Sequence, residues 1–457
     1  MKPFTLGGIR WWAGRGQDAD ALRPVVAAAL AALAAGSAAN QKRGRRKALY
    51  PLALGAGDRT THLLKVNSYG ARDGLRRRVV ASKARRELAL AEAVAARGIA
   101  TPVPIAAGEA RSGGRVRACY LLVPFVTGAV DLRRRAAEPL PPAERRALAT
   151  SFGRFARAIH AAGISQDDFQ PNNFLVGPAG SGDLRLIDCE RLALRARVAD
   201  DTAAWQLAKL EREMPAASLA DRARFVAAYA GDASRAGRSA RRAIWRRVQA
   251  AQPELARHDA ERIRRAIRAG GRRFAPLELA GWRGVRAEGA WRDALAPELA
   301  RALETPPPPG VLAAAGESFA LGLAPGARAA GERALAAAVL LARRGLAPAP
   351  CALLRHARAS VLVFAAPRGP TLGTLPAAER RALRPALVAL LGRLVAIGRL
   401  AAPSASDVGR AERGAPLALA LLATSRFEPD GRPSDASRAA ARALAAGVTE
   451  PRKDRGA

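Results

Sequence analysis

Two aspartates and an asparagine near the middle of the chain have the order and spacing of a phosphoryl-transfer site. Asn173 follows Asp168 by five positions, and Asp188 comes after the next apolar stretch. A carboxylate can position an attacking hydroxyl and accept its proton, and asparagine and aspartate oxygens are ligands that Mg²⁺ prefers. Mg²⁺ in turn neutralises the charge of nucleotide phosphates. We therefore predict Asp168 as the base and Asn173 and Asp188 as Mg²⁺ ligands.

The segments around this triad predict a β-hairpin that carries both metal ligands. Apolar runs at 174–176 and 184–187 predict two short strands, and the segment 177–182, rich in glycine, proline and serine, connects them. On such a hairpin Asn173 and Asp188 would face one metal from adjacent strands. The alternative interpretation is that the Pro-Asn-Asn stretch is an ordinary turn, since these residues favour turns for conformational reasons alone.

A lysine upstream is predicted to bind the phosphates. Lys65 lies in the apolar strand 62–66, in a chain that has only seven lysines and uses arginine nearly everywhere else. An ammonium group is a compact charge that binds a phosphate as a point, which is a chemical reason to keep a lysine here. The alternative is that Lys65 lies on the solvated face of its strand.

The helix that follows supplies the expected partner of this lysine. Ser82 is a suitable N-cap, and Gly98 is suited to end the helix. Glu87 lies in the first half of this helix, and an ion pair with Lys65 would hold the ammonium at the phosphates. Glu87 is also explained as a surface acid paired with a neighbouring basic residue, and Glu92 is the alternative partner for the lysine.

A glycine-containing loop is the remaining part of a nucleotide site. Gly55 and Gly57 are the only candidates for a loop that covers the phosphates of ATP. Two glycines without a further signature are equally typical of an ordinary hairpin turn, so both interpretations stay open.

In this order the residues resemble the lipopolysaccharide kinases of the Kdo/WaaP type. The resemblance extends over residues 45–230 and implies an α+β, protein-kinase-like bilobal fold with a small β-rich N-lobe and a helical C-lobe. It implies an enzyme that uses ATP and Mg²⁺ to phosphorylate a heptose or 3-deoxy-octulosonic acid (Kdo) of the lipopolysaccharide inner core. The roles that it implies are Asp168 as base, Asn173 and Asp188 as Mg²⁺ ligands, and Lys65 with Glu87 as the phosphate-positioning pair.

The sequence departs from that family's pattern in three places. Gln166 stands two residues before Asp168, where a histidine is usual. The doublet Asp167-Asp168 leaves two candidates for the base, and the spacing to Asn173 favours Asp168. After Asp188, Cys189-Glu190 stands in place of the aromatic residue and glycine of protein kinases, so we expect no mobile switch at that point.

A second, degenerate copy of the domain is predicted in the C-terminal half. This copy lacks the chemistry, because it has no lysine between positions 210 and 452, and Glu412 stands where the asparagine is needed. We place the catalytic domain at 1–235, the degenerate and mostly helical copy at 236–448 and a disordered tail at 449–457. We expect the copy to have a shortened N-lobe behind the proline run 306–309. Three segments recur in the same order: Arg97–Ala100 as Arg344–Ala347, Tyr120–Val123 as Val361–Phe364, and Leu140–Leu148 as Leu375–Leu383.

The formal net charge of +36 favours anionic partners. An anionic membrane surface or a phosphorylated glycolipid would fit this charge. The sequence has no nucleic-acid motif and no basic run interleaved with aromatic residues, so nucleic acid is not an expected partner. A bias of the whole chain toward alanine, arginine and glycine is an equally direct explanation of the charge.

Cysteine usage and hydropathy bear on the compartment. The three cysteines, at 119, 189 and 351, are widely separated in apolar surroundings and are expected to be buried thiols in a reducing compartment. The N-terminus lacks an apolar signal sequence, and the longest apolar stretch, 24–35, is too short to span a bilayer. We therefore expect a cytoplasmic protein, peripheral at the inner face of the inner membrane when it acts on a glycolipid.

Two other functions stay open. The pattern of aspartate, asparagine and aspartate is shared with kinases of other small molecules and of proteins, so it indicates the reaction better than the acceptor. A non-catalytic binding protein with a kinase fold belongs to another class. Retention of the full residue set in one half of the chain, against its loss in the other half, argues against that class.

Overall fold

The chain, described by a computed structural model, divides into two units. The first comprises Met1–Gln206 and Asp221–Arg241, and the second comprises Leu207–Ala220 and Arg242–Ala457. Each unit contains a six-stranded sheet and several helices, which confirms the predicted α+β class. The structure describes residues 3–35, 47–54, 59–77, 80–178, 180–231, 234, 237–271, 273–307, 312–315, 318–323, 328–344, 346–347, 349–356, 359–365, 375–397, 399–400, 408–410, 417–419, 427–428, 439 and 441–444.

The first unit begins with an antiparallel sheet in the order β1-β2-β5-β6-β4-β3. Helix α1 packs on one face of this sheet, where Trp11, Val26 and Leu122 are buried together. Helix α3 packs on the opposite face through Leu88 and Leu121. The elements are β1 (Pro3–Leu6), β2 (Ile9–Ala13), α1 (Ala19–Ala34), β3 (Lys47–Leu52), β4 (His62–Ser68), α2 (Ala71–Arg76), α3 (Lys83–Ala96), β5 (Ala106–Ser112) and β6 (Arg115–Pro124).

The rest of the first unit is mainly helical and carries short antiparallel strand pairs. The chain is poor in aromatic residues, yet several of them gather here. Phe174 lies 5.0 Å, between ring centroids, from both Phe152 and Phe169, so α5 is packed directly under the strand that follows Asn173. The elements of this part of the chain are β7 (Val130–Asp131), α4 (Leu132–Ala137), α5 (Pro142–Ala161), β8 (Ile164–Gln166), β9 (Phe174–Val176), β10 (Leu184–Leu186), β11 (Leu192–Leu194), and α6 (Asp200–Arg212) and α7 (Leu219–Ala230), which belong to the first unit up to Gln206 and from Asp221.

The second unit has its own six-stranded sheet, in the order β12-β13-β16-β17-β15-β14. The proline run does not precede this sheet as expected: two strands come before position 306, so the sheet is not shortened in strand number. The elements are α8 (Arg238–Ala269), β12 (Phe274–Leu279), β13 (Trp282–Ala287), α9 (Ala296–Ala302), β14 (Leu312–Ala315), β15 (Ser318–Leu323), α10 (Arg328–Arg343), β16 (Pro350–His356), β17 (Ala359–Ala365), α11 (Ala377–Ala382), α12 (Arg384–Ile397), β18 (Arg399–Leu400), β19 (Val408–Arg410), β20 (Leu417–Leu419) and β21 (Phe427–Glu428).

The two six-stranded sheets have the same strand order when each is counted from its own first strand. In both, the fourth strand pairs with the third and with the sixth. Lys65 of β4 lies opposite Leu121 of β6, and Leu321 of β15 lies opposite Leu362 of β17. Because the sequence repeat matches Leu121 with Leu362, Leu321 occupies in the second sheet the position that Lys65 occupies in the first.

Hydropathy along the described helices does not reach the level of a membrane span. The longest helix, α8, carries many charged residues, and none of the helices in the described part of the chain combines the length and the apolar character needed to cross a bilayer.

Candidate active site

The predicted pair of Lys65 and Glu87 is present. Lys65 lies in β4, a strand flanked by β3 and β6, and its Nζ is 2.6 Å from Oε1 of Glu87 on α3. The helix begins as expected, with the Ser82 side chain accepting a hydrogen bond from the Arg85 backbone amide. Burial would lower the pKa of Lys65, but the carboxylates of Glu87 and Asp188 outweigh burial and raise it. Lys65 is therefore a fixed, protonated cation, with only 12% of its side chain exposed.

The predicted hairpin is also present and brings the two proposed metal ligands to one end. Strands β9 and β10 pair with Phe174 opposite Leu186. The backbone amide of Ile187 donates a 2.8 Å hydrogen bond to the carbonyl oxygen of Asn173. Asp188 is the next residue, with φ of 60° and ψ of 55°. Aspartate tolerates this left-handed conformation better than most residues, and here it turns the chain sharply out of the strand.

Asp168 is held by the residues that follow it. The Asn173 side-chain amide Nδ2 lies 2.6 Å from the backbone oxygen of Asp168 and donates to it, which closes the loop between the two residues. Gln170 Nε2 donates to the Asp168 carboxylate oxygen Oδ1. Asp168 is half-buried, whereas Asp167 is exposed. The structure thus constrains Asp168 through the same asparagine that the sequence spacing paired with it.

The Asp188 carboxylate faces two ammonium groups. Its Oδ1 lies 3.8 Å from Lys65 Nζ and 3.6 Å from Lys47 Nζ, at the start of β3. Burial would raise the pKa of Asp188, but the two lysines lower it, so the group stays a carboxylate at neutral pH. The same Oδ1 is shielded from solvent and has no hydrogen-bond partner among the described residues. An anionic oxygen that is shielded from solvent and has no hydrogen-bond donor is suited to bind a cation.

Other oxygens converge near Asp188. Carboxylate oxygens of Glu87, Asp188 and Glu190 lie within 4.8 Å of one another. Glu190 Oε1 is also 3.7 Å from Nζ of Lys83, which is the first residue of α3. Because this donor set is all oxygen, the residues fit a hard divalent cation such as Mg²⁺. Glu190 was not predicted as part of the site, since its only sequence signal was that it replaces a glycine.

A buried glutamine occupies the place of the usual histidine. Gln166 is fully buried at the end of β8, and its Nε2 donates a 3.2 Å hydrogen bond to the backbone oxygen of Asp188. A buried histidine, His160 on α5, is hydrogen-bonded to Tyr229 at 2.7 Å and to Gln206 at 2.9 Å. Its ring lies 5.1 Å from that of Phe169, beside Asp168. Burial lowers the pKa of His160 to about 4, so it is neutral at pH 7.

A cavity of about 170 Å³ opens beside these charges. Its charged end is formed by Lys65, Glu87 and Asp188, and the rest of its wall is largely apolar. A slot of this kind can accept the flat base of a nucleotide along its apolar wall and direct the phosphates of that nucleotide to its charged end. The apolar wall includes Leu63, Val123, Phe125, Leu175 and Ile187.

The structure brings together Lys65, Glu87 and Asp188, and it places Asn173 and Asp168 on the loop beside them. The alternative partner Glu92 is elsewhere, because it accepts a hydrogen bond from the Arg15 backbone amide. Gly55 and Gly57, the candidate phosphate loop, lie outside the described residues. Glu412, the residue that departs from the pattern in the second half, lies outside them as well.

Sequence reasoning missed Lys47. The signal was available in the composition, since lysine is scarce in this chain and Lys47 directly follows a run of arginines and glycine. The same scarcity had already singled out Lys65.

Comparisons with known proteins find similarity over part of the chain. Among curated proteins, the chain is 37% identical over 84 residues to the "Putative cyclin-dependent kinase F-2" of Oryza sativa subsp. japonica, spanning 18% of this chain and only 25% of that protein. Among solved structures, it is similar to "WaaP in complex with acyl carrier protein", with 21% identity, a TM-score of 0.33, and coverage of 43% of this chain and 80% of that one. Residues 39–229 match the family model of the lipopolysaccharide kinases (Kdo/WaaP). This segment carries every site residue described above and is similar to the lipopolysaccharide kinases of the Kdo/WaaP family.

Proposed function

We propose that the first unit is an ATP- and Mg²⁺-dependent phosphotransferase that phosphorylates a sugar hydroxyl, of heptose or Kdo, in the lipopolysaccharide inner core. The observation that carries this proposal is the convergence of the Lys65–Glu87 ion pair and Asp188 at the charged end of one cavity. Protein kinases use a lysine and glutamate pair of this kind together with a metal-binding aspartate. The family assignment of residues 39–229 directs the acceptor toward lipopolysaccharide.

The roles of the individual residues follow from their positions. Lys65, fixed by Glu87, would bind the phosphates of ATP, and Asp188 with Asn173 would hold a divalent cation. When bound, that cation would supply positive charge to the triphosphate. Asp168 would accept the proton of the sugar hydroxyl as the hydroxyl oxygen bonds to the γ-phosphorus, while the bond from that phosphorus to the bridging oxygen breaks and ADP leaves. Two hydrogen bonds hold Asp168 in place: Gln170 donates to its carboxylate, and Asn173 donates to its backbone oxygen.

A membrane-anchored acceptor would account for the strong positive charge. The net charge of +36 would attract a surface that carries phosphorylated glycolipid or anionic lipid. We place the protein at the inner face of the inner membrane, as a peripheral cytoplasmic enzyme. Vesicle sedimentation with and without anionic lipid tests this placement, and binding that does not change with lipid charge would contradict it.

We propose that residues 236–448, most of which lie in the second unit, form a degenerate kinase-like domain. The shared strand order and the position of Leu321 support this proposal. Extending the sequence repeat along α10 puts Ala334 where α3 has Glu87. Leu321 is fully buried in the apolar core that also contains Leu335, and Ala334 packs against this core, so apolar residues stand where the first unit has its ion pair.

A second candidate function is phosphorylation of another acceptor, such as a protein or a different small molecule. The match to a plant protein named as a cyclin-dependent kinase favours retaining it, although that match spans only a quarter of the relative.

The deciding experiment is phosphoryl transfer from labelled ATP to a panel of acceptors. The panel contains inner-core lipopolysaccharide precursors, free heptose, free Kdo and generic protein substrates. We expect label in a core glycolipid, with Mg²⁺ required, and no label with the Asp168→Ala variant. Transfer to a protein substrate alone would favour the second candidate. Binding of acceptors without transfer to any of them would contradict an enzymatic function.

A further inference from the structure

Lysine is rare in this protein, and its placement is selective. The chain has seven lysines among 75 basic residues. Three of them, Lys47, Lys65 and Lys83, form ion pairs with the acidic residues of the site described above. Where composition favours arginine so strongly, three lysines at one site indicate a requirement for compact, point-like cations.

Lys47 lies on the same face of the sheet as Lys65. In the β3–β4 pairing, Lys65 stands opposite Leu49, and residues directly opposite in antiparallel strands share a face. Lys47 is two residues before Leu49 and therefore points to that face as well. This position explains how both ammonium groups reach the same oxygen of Asp188, at 3.6 Å and 3.8 Å.

The two lysines differ in how firmly they are held. Lys65 is bound to Glu87 at 2.6 Å and is mostly buried. Lys47 is 40% exposed in its side chain, and the one ion pair it forms with a described residue, to Asp188 at 3.6 Å, is longer than the Lys65–Glu87 pair. A divalent cation on Asp188 would compete for that carboxylate, and the Lys47 ammonium would then be the cation available for a further anion.

We propose that Lys47 is a second phosphate-binding lysine, which contacts the terminal phosphates of the nucleoside triphosphate once a divalent cation occupies Asp188. This inference rests on the proposed function of the site. Lys65, fixed by Glu87, supplies a permanent charge, whereas Lys47 exchanges its partner from Asp188 to the nucleotide. Lys47 thus makes the site selective for the number of phosphates that the nucleotide carries.

Calorimetry with the full-length protein in Mg²⁺ tests this role. The Lys47→Met variant is titrated with ATP, ADP and adenosine, beside the wild type and an Arg115→Met control. Arg115 is exposed on β6 of the same sheet, so its loss removes the same charge outside the site. We expect Lys47→Met to weaken ATP binding about 10- to 100-fold, the loss typical of one charge-assisted contact, and to leave adenosine binding unchanged. The loss for ADP is expected to be smaller than that for ATP.

A further variant separates the charge of Lys47 from its shape. Lys47→Arg retains the charge in a bulkier group, so we expect it to keep part of the ATP affinity that Lys47→Met loses and to bind adenosine as the wild type does. Unchanged ATP affinity in Lys47→Met would overturn the inference, and so would an equal loss for adenosine, which would mean a structural role. Failure of the wild type to bind any of the three ligands would instead contradict the proposed function itself.

Discussion

Gln166 Nε2 lies 3.2 Å from the backbone oxygen of Asp188, so the strand before the proposed base is bonded to the residue proposed to bind metal. Asp188 adopts the left-handed conformation, and its carbonyl is held by this one buried side chain. The contact ties the loop of Asp168 to the hairpin of Asn173. A neutral, permanently available donor thus stands where the family usually has a histidine.

Replacing this donor is expected to impair turnover more than nucleotide binding. Gln166→Leu should leave the Asp188 carbonyl without its donor and destabilise the first unit by about 1–3 kcal/mol. The turnover number should fall, because Asp188 and Asp168 lose their fixed relation, while the adenosine part of the site is untouched. Steady-state kinetics and urea denaturation check this. Gln166→Met, matched in volume but also lacking the donor, should behave like the leucine variant.

The identity of the base is tested by the aspartate doublet. Asp168→Ala should lower phosphoryl transfer by about 10²–10⁴-fold and leave ATP affinity nearly unchanged. Asp167→Ala should retain activity, since Asp167 is exposed and outside the hydrogen bonds from Gln170 and Asn173. The opposite result, an inactive Asp167→Ala beside an active Asp168→Ala, would assign the base to the other residue.

Asp188 has separable conformational and electrostatic roles. Asparagine also tolerates the left-handed region, so Asp188→Asn should keep the fold and lose about 10²-fold or more in activity, because a charged metal ligand is removed. Asp188→Ala should lose similar activity and be less stable than Asp188→Asn by about 1 kcal/mol, the added cost of a left-handed alanine. Thermal denaturation of the two variants measures the difference. Equal stability would show that the backbone conformation carries no cost.

His160 gives a prediction about pH. Its pKa is lowered by burial to about 4, from an ordinary value of 6.5. The folded protein therefore binds the proton less well than the unfolded chain, and stability falls as pH drops from about 6.5 toward 4. The advantage of the wild type over His160→Gln in urea denaturation should shrink by about 2 kcal/mol between pH 7.5 and pH 5. An advantage that stays constant with pH would mean that His160 is not the group responsible.

The number of ATP molecules bound per chain tests the proposal that the first unit binds nucleotide and the second does not. Full-length protein should bind one Mg²⁺-ATP, and Lys65→Met should abolish or strongly weaken that binding, because Leu321 leaves the second sheet without an equivalent cation. Calorimetry of both proteins checks this expectation. Residual tight binding of one ATP by Lys65→Met would show that the second unit has a nucleotide site of its own.

The sequence by itself determined the parts of the site that depend on local rules. Ser82 as an N-cap set the start of α3 and therefore where Glu87 lies along it. The seven-residue connection between β9 and β10 set the hairpin, because its turn chemistry and the apolar runs on both sides of it act over a short distance. The Lys65–Glu87 pair was predicted from the apolar strand of Lys65, the helix of Glu87 and their opposite charges.

Tertiary structure decided what depends on register and on contacts between distant segments. The reach of Lys47 to Asp188 joins residues 141 positions apart and requires the pairing of β3 with β4. The contact of Gln166 with Asp188 depends on the sharp backbone turn at Asp188, which the neighbouring sequence does not predict. The second sheet begins before the proline run, contrary to expectation, because strands β12 and β13 join it by long-range pairing. Such contacts arise from packing of the whole unit, which local sequence patterns do not encode.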